Sequence, residues 1–223
     1  GAKKEAVSLY LQASGLETCL QSMTAPLSVF DFGLGLGYNA LVTLHAWFNR
    51  HGKESLFLWS AEISEELVRD LLTAKASWQI GWPSLWKEWL RGFRQKDDHI
   101  FELEVYHPKS QKLARWTIVV GDATQKKFFK DLLLEKNFDY IWHDPFSYHK
   151  NPNCWTSKCF QQLKEASSLK CCLMTYSVAG SVRKALDSAG WQWQKIEAKG
   201  GKRNWLKAFP STNENTSLTT NLP

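Results

Sequence analysis

The chain has 223 residues, of which 43% are apolar and 22% charged, with a formal net charge of +6. That length and balance describe a soluble globule with one sizeable core, and no apolar run approaches the ~20 residues of a membrane span. The positive charge suits a polyanionic partner and is equally compatible with a solvated basic face.

No secretory signal is read at the start of the chain. Leu27 to Phe32 is expected to be the first strand, apolar on both faces. It runs through Asp31 into three alternate glycines, Gly33, Gly35 and Gly37, and then into a helix from Tyr38 to Arg50. Glycines at such a turn let the backbone bend tightly and approach a ligand where a Cβ would collide. The helix behind them offers free N–H groups and a positive dipole end. The dinucleotide fingerprint is G-x-G-x-x-G. Here the spacing is G-x-G-x-G, with an acid two residues before the first glycine. This spacing suits S-adenosylmethionine (SAM), which has no diphosphate to cradle, and Asp31 could meet its cationic amino-acid end.

Leu56 to Ser60 is the second strand, ending at Glu62, and Ser64 to Ala76 a helix with Ser64 as N-cap. A tryptophan-rich insertion at about residues 77–95, helical from Trp82 to Phe93, carries Trp82, Trp86 and Trp89 at helical spacing, which suits a core better than base stacking. Ile100 to Tyr106 and Leu113 to Val120 form a hairpin, and the second of these strands leads to Gly121-Asp122. Then come a helix over Gln125 to Glu135, a strand over Phe138 to Trp142, a helix over Thr156 to Ser167 and a strand over Lys170 to Tyr176. A helix over Val178 to Ala189 stops at Gly190. Two antiparallel strands follow, Trp191 to Ala198 and Asn204 to Phe209. Residues 1–210 thus read as one domain, with a polar, disordered tail over 211–223. Strands alternating with helices imply an α/β fold with a mostly parallel, doubly wound sheet and an antiparallel C-terminal hairpin, a Rossmann-like arrangement of the class I SAM methyltransferases.

Five cysteines, with Cys171 and Cys172 adjacent in a buried strand, do not make a disulfide framework, so a reducing, cytoplasmic compartment is expected. Cys154 and Cys159 lack a second pair, so no metal is expected.

Four acids fall at or just after strand ends: Asp31, Glu62, Asp122 and Asp144. Ligands of open α/β sheets bind outside those ends. In this fold class Glu62 would take the ribose hydroxyls, and Asp122, with Ala123 beside it, would reach the adenine. An N-cap or surface role is the alternative for each. Asp144-Pro145-Phe146 follows a strand directly, and its carboxylate could orient an amine and take its proton. Phe146 would form an apolar wall, whereas His143 and His149 read as structural. Lys150, Lys202 and Arg203 are the candidates for phosphate contact.

The chain resembles the SAM-dependent methyltransferase domain of the tRNA 5-methylaminomethyl-2-thiouridine enzymes. The resemblance lies in Gly33-x-Gly35-x-Gly37-x-Asn39-x-Leu41, in Asp144-x-Phe146 followed by Lys150-Asn151-Pro152 and Trp155, in Thr175-Tyr176-Ser177, and in Gly200-Gly201-Lys202-Arg203. It implies methyl transfer from SAM to the aminomethyl nitrogen of a modified wobble uridine in tRNA, with Asp144 as the catalytic carboxylate. It further implies Asn39 among the cofactor residues, and Asn151, Trp155 and Tyr176 with Phe146 and Lys150 among the substrate residues. No FAD-dependent oxidase domain is expected in this chain, and a monomer is the default. Gly1-Ala2 fall inside what resembles the family's first helix, so part of the N-terminus is expected to be missing. Pro145 stands where the family has a small residue. It is similar to the D-P-P-Y/F loop of nucleic-acid amino-methyltransferases, which leaves another base or a protein amine open as acceptor. A non-catalytic SAM- or RNA-binding module is the reading from a different class.

Overall fold

A computed structural model describes residues 1–50, 52–129, 137–197 and 204–211. The chain opens with α1 (Ala2–Glu5), which passes into a π-helical segment, Ala6–Ala13, and then α2 (Leu16–Ser22). Strand β1 (Leu27–Phe32) leads through the glycine turn into α3 (Tyr38–Asn49), followed by β2 (Leu56–Glu62) and α4 (Glu65–Thr73). Ser64 caps α4 as expected, its side chain accepting the Leu67 N–H at 3.2 Å. The helix ends earlier than the sequence suggests because Ala74 adopts φ 55, a left-handed stop.

In the tryptophan-rich segment α5 (Ser84–Arg91) buries Trp86 and Trp89 in the core, so these rings are not available to stack on bases. Next come β3 (Arg94–Asp97), β4 (Ile100–Tyr106), β5 (Leu113–Val120) and α6 (Lys126–Phe128). Strand β3 was not anticipated. Its four residues are all polar and exposed, so an edge strand of this kind carries no apolar alternation to read. The remainder of the helix expected over Gln125 to Glu135 falls on residues 130–135, outside the described residues. The second half contains β6 (Phe138–His143), α7 (Ser157–Glu165), β7 (Ser167–Thr175), α8 (Gly180–Ser188), β8 (Trp191–Glu197) and β9 (Asn204–Pro210). Of the tail expected to be disordered, only Ser211 is described, its N–H bonded to the Gly190 carbonyl at 2.9 Å.

The nine strands among the described residues form one sheet in the order β3-β4-β5-β2-β1-β6-β7-β9-β8. The five central strands, β5 to β7, run parallel. Antiparallel strands extend the sheet at both edges. One face is covered by the N-terminal helices, α3, α4 and α5, through Leu9, Leu41, Trp47, Val68, Leu71 and Trp86. The other is covered by α7 and α8, through Phe160, Leu163, Val182 and Leu186. This is the doubly wound arrangement expected from the alternation of periods. Its consequence for function is direct: β5, β2, β1 and β6 are neighbours and parallel, so the residues after their carboxyl ends converge on one rim.

Candidate active site

A cavity of about 580 Å³ opens on that rim, a volume suited to a small-molecule ligand. The three glycines of the turn have different surroundings. Gly33 has φ +100, and a Cβ there would lie 2.9 Å from the Asp144 carbonyl oxygen, so its bareness lets the first loop touch the fourth. Gly37, with φ +76, starts α3, and a Cβ would press on the Leu71 side chain at 3.1 Å. Gly35 has φ +51, lines the cavity, and has nothing within 4 Å of the place a Cβ would take. It is therefore the position that leaves room for a ligand to approach the backbone.

Glu62 sits across from the turn. Its Oε2 accepts the Gly35 N–H at 3.0 Å and its Oε1 accepts the Ser64 N–H at 3.0 Å. Each oxygen has a further lone pair to offer, and Glu62 lines the cavity. Burial pushes Asp122 up, but hydrogen bonds from Gln125 and Thr124 outweigh it and hold the carboxyl below its ordinary range. Asp122 and Ala123 line the wall beside Gly121 and Thr124.

Asp31 departs from its expected place. It is 0% exposed and lies behind the cavity wall rather than in it. Its Oδ2 accepts from Ser60 Oγ at 3.2 Å, and Ser60 in turn accepts the Trp116 indole N–H at 3.0 Å. Its Oδ1 lies 3.5 Å from Asn39 Nδ2, whose amide donates to Asp144 Oδ2 at 2.8 Å. Burial, reinforced by the Asp144 charge, raises the Asp31 pKa well above the usual carboxylate value.

Asp144 lies on the cavity wall directly after β6. Burial pushes its pKa up to about 6, and the Asn39 hydrogen bond opposes that rise. The loop that carries it is tied at successive groups. The Asp144 N–H donates to the Phe32 carbonyl at 3.0 Å, the Tyr176 hydroxyl to the Pro145 carbonyl at 3.0 Å, and the Trp155 indole to the Phe146 carbonyl at 3.0 Å. Phe146, Asn151 and Tyr176 line the cavity. Trp155 does not; it is 3% exposed, packed edge-on against His143 and Tyr176 behind the loop. Lys150 is exposed at the mouth, its ammonium 5.3 Å from the Phe146 ring centre. His143 is structural: burial lowers its pKa to about 4, and its Nε2 pairs with the Cys154 carbonyl at 2.9 Å. Lys202 and Arg203 lie outside the described residues.

Sequence reasoning missed Glu5, which lines the cavity, and Tyr10, whose enclosed hydroxyl faces Asp144 without a hydrogen bond of good geometry. Neither belongs to a motif, and only the packing of the N-terminal helices on α3 brings them here. Among the described residues the cavity wall carries Glu5, Glu62, Asp122 and Asp144 but no Lys, Arg or His. An acidic wall with an open glycine approach fits a cationic ligand with ribose hydroxyls and does not fit a diphosphate.

A family profile described as S-adenosyl-L-methionine-dependent methyltransferase matches residues 85–211, more than half of the chain. The chain belongs to that family. This methyltransferase takes SAM as its methyl donor. It is 30% identical over 192 residues to the tRNA 5-methylaminomethyl-2-thiouridine biosynthesis bifunctional protein MnmC of Azoarcus sp. (strain BH72), covering 80% of this chain and 27% of that one. The MnmC protein of Paraburkholderia phymatum is 27% identical over 220 residues, covering 92% of this chain and 30% of the relative. The methyltransferase thus spans under a third of the length of these curated relatives. In fold it is similar to MNMC2 from Aquifex aeolicus, with a TM-score of 0.72 and 23% identity over 96% of this chain and 65% of that one.

Proposed function

We propose that this enzyme methylates the aminomethyl nitrogen of 5-aminomethyl-2-thiouridine at the tRNA wobble position, with Asp144 as the proton acceptor. The observation that carries the reading is the Asp144 carboxylate itself. It stands on the wall of the cavity, gripped by Asn39 and backed by Gly33, with a pKa of about 6 that leaves it ionised at neutral pH. The names of the MnmC relatives supply the substrate class. Residues 1–210 form the catalytic domain in this reading, in a cytoplasmic, monomeric protein. Its five cysteines are free, which suits a reducing compartment.

In this reading Gly35 gives the cofactor its close approach, Glu62 accepts the ribose hydroxyls, and Asp122 with Ala123 borders the adenine. When bound, SAM supplies an electrophilic methyl group whose bonding pair departs with sulfur. The acceptor must present a neutral lone pair. Freeing it from an amine with a lysine-like pKa costs roughly 4–5 kcal/mol at pH 7. Asp144 is placed to orient the amine and to receive the proton that leaves the nitrogen, while Asn39 and the tied loop fix the carboxylate's direction. Phe146 at the mouth offers an apolar face for the base, and Lys150 beside it offers a phosphate contact.

Pro145 favours a second reading, an exocyclic base amine as acceptor. One assay separates the two: label from SAM is followed into tRNA carrying 5-aminomethyl-2-thiouridine and into the same tRNA lacking the aminomethyl group. Label confined to the modified tRNA is expected. Equal label on both would exclude the aminomethyl nitrogen.

A further inference from the structure

Tyr10 sits in the π-helical segment Ala6–Ala13, a rare geometry that recurs at functional positions. The end of this segment is held firmly. Ser14 Oγ donates to the Tyr10 carbonyl at 2.6 Å, and Lys207 of β9 donates to the Ser14 carbonyl at 3.0 Å. The Tyr10 ring is 1% exposed and packs 5.6 Å from that of Trp142, two residues before Asp144. Its hydroxyl is enclosed, faces Asp144 and makes no hydrogen bond of good geometry. Burying a hydroxyl costs free energy that only a polar neighbour offsets, and a phenylalanine would fill the same space without that cost. Packing alone therefore does not account for the oxygen.

The surroundings of Asp144 supply a reason. Glu5 of α1, Asp31 of β1 and Tyr176 after β7 are the ionisable groups that face it with Tyr10, and no basic side chain among the described residues lines the cavity. An ionised carboxylate there depends on neutral donors, of which Asn39 is one. Burial raises the Tyr10 pKa well above that of free tyrosine, so the phenol stays protonated and can only donate to the carboxylate.

We propose that Tyr10 is a positioning residue for Asp144: its hydroxyl and the Asn39 amide hold the carboxylate from two sides and turn its remaining lone pairs toward the incoming amine. The proposal rests on the reading of Asp144 as proton acceptor. The hydroxyl already acts on the Asp144 carboxyl in the empty site, though with poor alignment, and catalytic hydrogen bonds of this kind tighten further when substrate closes a site.

The test is Tyr10→Phe, which keeps the ring against Trp142. The Asp144 carboxyl is titrated by carbon NMR in the SAM-free protein. Loss of the donor should move its pKa up by roughly one pH unit; an unmoved titration overturns the proposal. On aminomethylated tRNA, kcat should fall severalfold at pH 7 with KM unchanged, and the acid limb of the rate profile should move up with the titration. A raised KM with an unmoved limb would reduce Tyr10 to packing. Should Tyr10→Phe fail to fold, a fluorotyrosine at position 10 must lower the Asp144 titration, because it is the stronger donor. If the wild type methylates no aminomethylated tRNA, the substrate reading falls, and the NMR titration still decides the role of Tyr10.

Discussion

The side-chain amide of Asn39 donates to Asp144 Oδ2 at 2.8 Å. The same nitrogen lies 3.5 Å from Asp31 Oδ1, so one neutral side chain at the start of α3 separates two carboxyls of raised pKa. Asn39→Ala should therefore leave Asp144 without its best donor. A hydrogen bond to a charged group contributes about 1.5–3 kcal/mol, so methyl transfer at pH 7 should fall roughly 10- to 100-fold. Because Asn39 also lines the cavity, SAM affinity is measured calorimetrically alongside, and the loss of rate should exceed any loss of affinity. A variant that turns over normally would remove Asn39 from the mechanism.

The pH dependence follows from Asp144. With its pKa near 6, the carboxyl is ionised above that pH and protonated below it. Only the ionised form accepts a proton, so kcat/KM should fall tenfold per pH unit below about pH 6. An acid limb at the ordinary carboxylate value would mean that Asp144 is not the group titrating.

The same shift has an opposite sign in stability. A carboxyl whose pKa is raised in the folded state binds its proton more tightly there than in the unfolded chain. That contribution is complete below about pH 4 and is lost as the pH rises through about 6. Asp144→Asn removes the buried charge, and the protein should be more stable at pH 7.5 by at most about 3 kcal/mol. The gain should vanish at pH 4, while methylation is lost and SAM binding is kept. Thermal melts at the two pH values check this, and equal gains at both would point away from Asp144 ionisation. A gain at pH 7.5 alone would make the site an instance of activity maintained against stability.

The glycine turn separates cofactor binding from loop placement. Gly35→Val puts a branched side chain at φ +51 and into the open approach, so SAM binding should disappear while the fold survives. Gly33→Ala instead drives a methyl against the Asp144 carbonyl, 2.9 Å away. It should lower kcat more than SAM affinity, because what moves is the loop bearing the Asp144 carboxylate. Calorimetry and single-turnover rates on the two variants would show the contrast, and the same phenotype for both would refute it.

Much of this architecture is readable from local pattern. The strands Leu27–Phe32 and Leu113–Val120 show long apolar runs ending in turn residues, and their observed bounds match that signal. Four acids at strand ends identify the rim on which the cavity lies. Burial depth is not readable in that way. Asp31 looks like a ligand-facing acid, yet Ser60 and Asn39 donate to it and Trp116 ties Ser60 in place, three residues from three separate elements. Trp155 carries a family motif, but its indole serves the Phe146 carbonyl rather than the cavity. Tyr10 and Glu5 have no signature at all, since their place depends on how a π-helical segment packs on α3.

Lys150 and Phe146 test how RNA reaches the mouth of the cavity. Both are exposed, and the ammonium rests 5.3 Å from the ring centre. A lysine that contacts phosphate releases a counterion, so Lys150→Gln should weaken binding to modified and unmodified tRNA alike. It should also reduce the slope of log affinity against log salt by roughly one. A stacked base depends on the ring instead. Phe146→Ala should lose about 1–3 kcal/mol of affinity with the salt slope unchanged. Filter binding across a salt series distinguishes the two contributions. An unchanged slope for Lys150→Gln would move the phosphate contact elsewhere, and undiminished affinity for Phe146→Ala would remove the stacking face from the acceptor site.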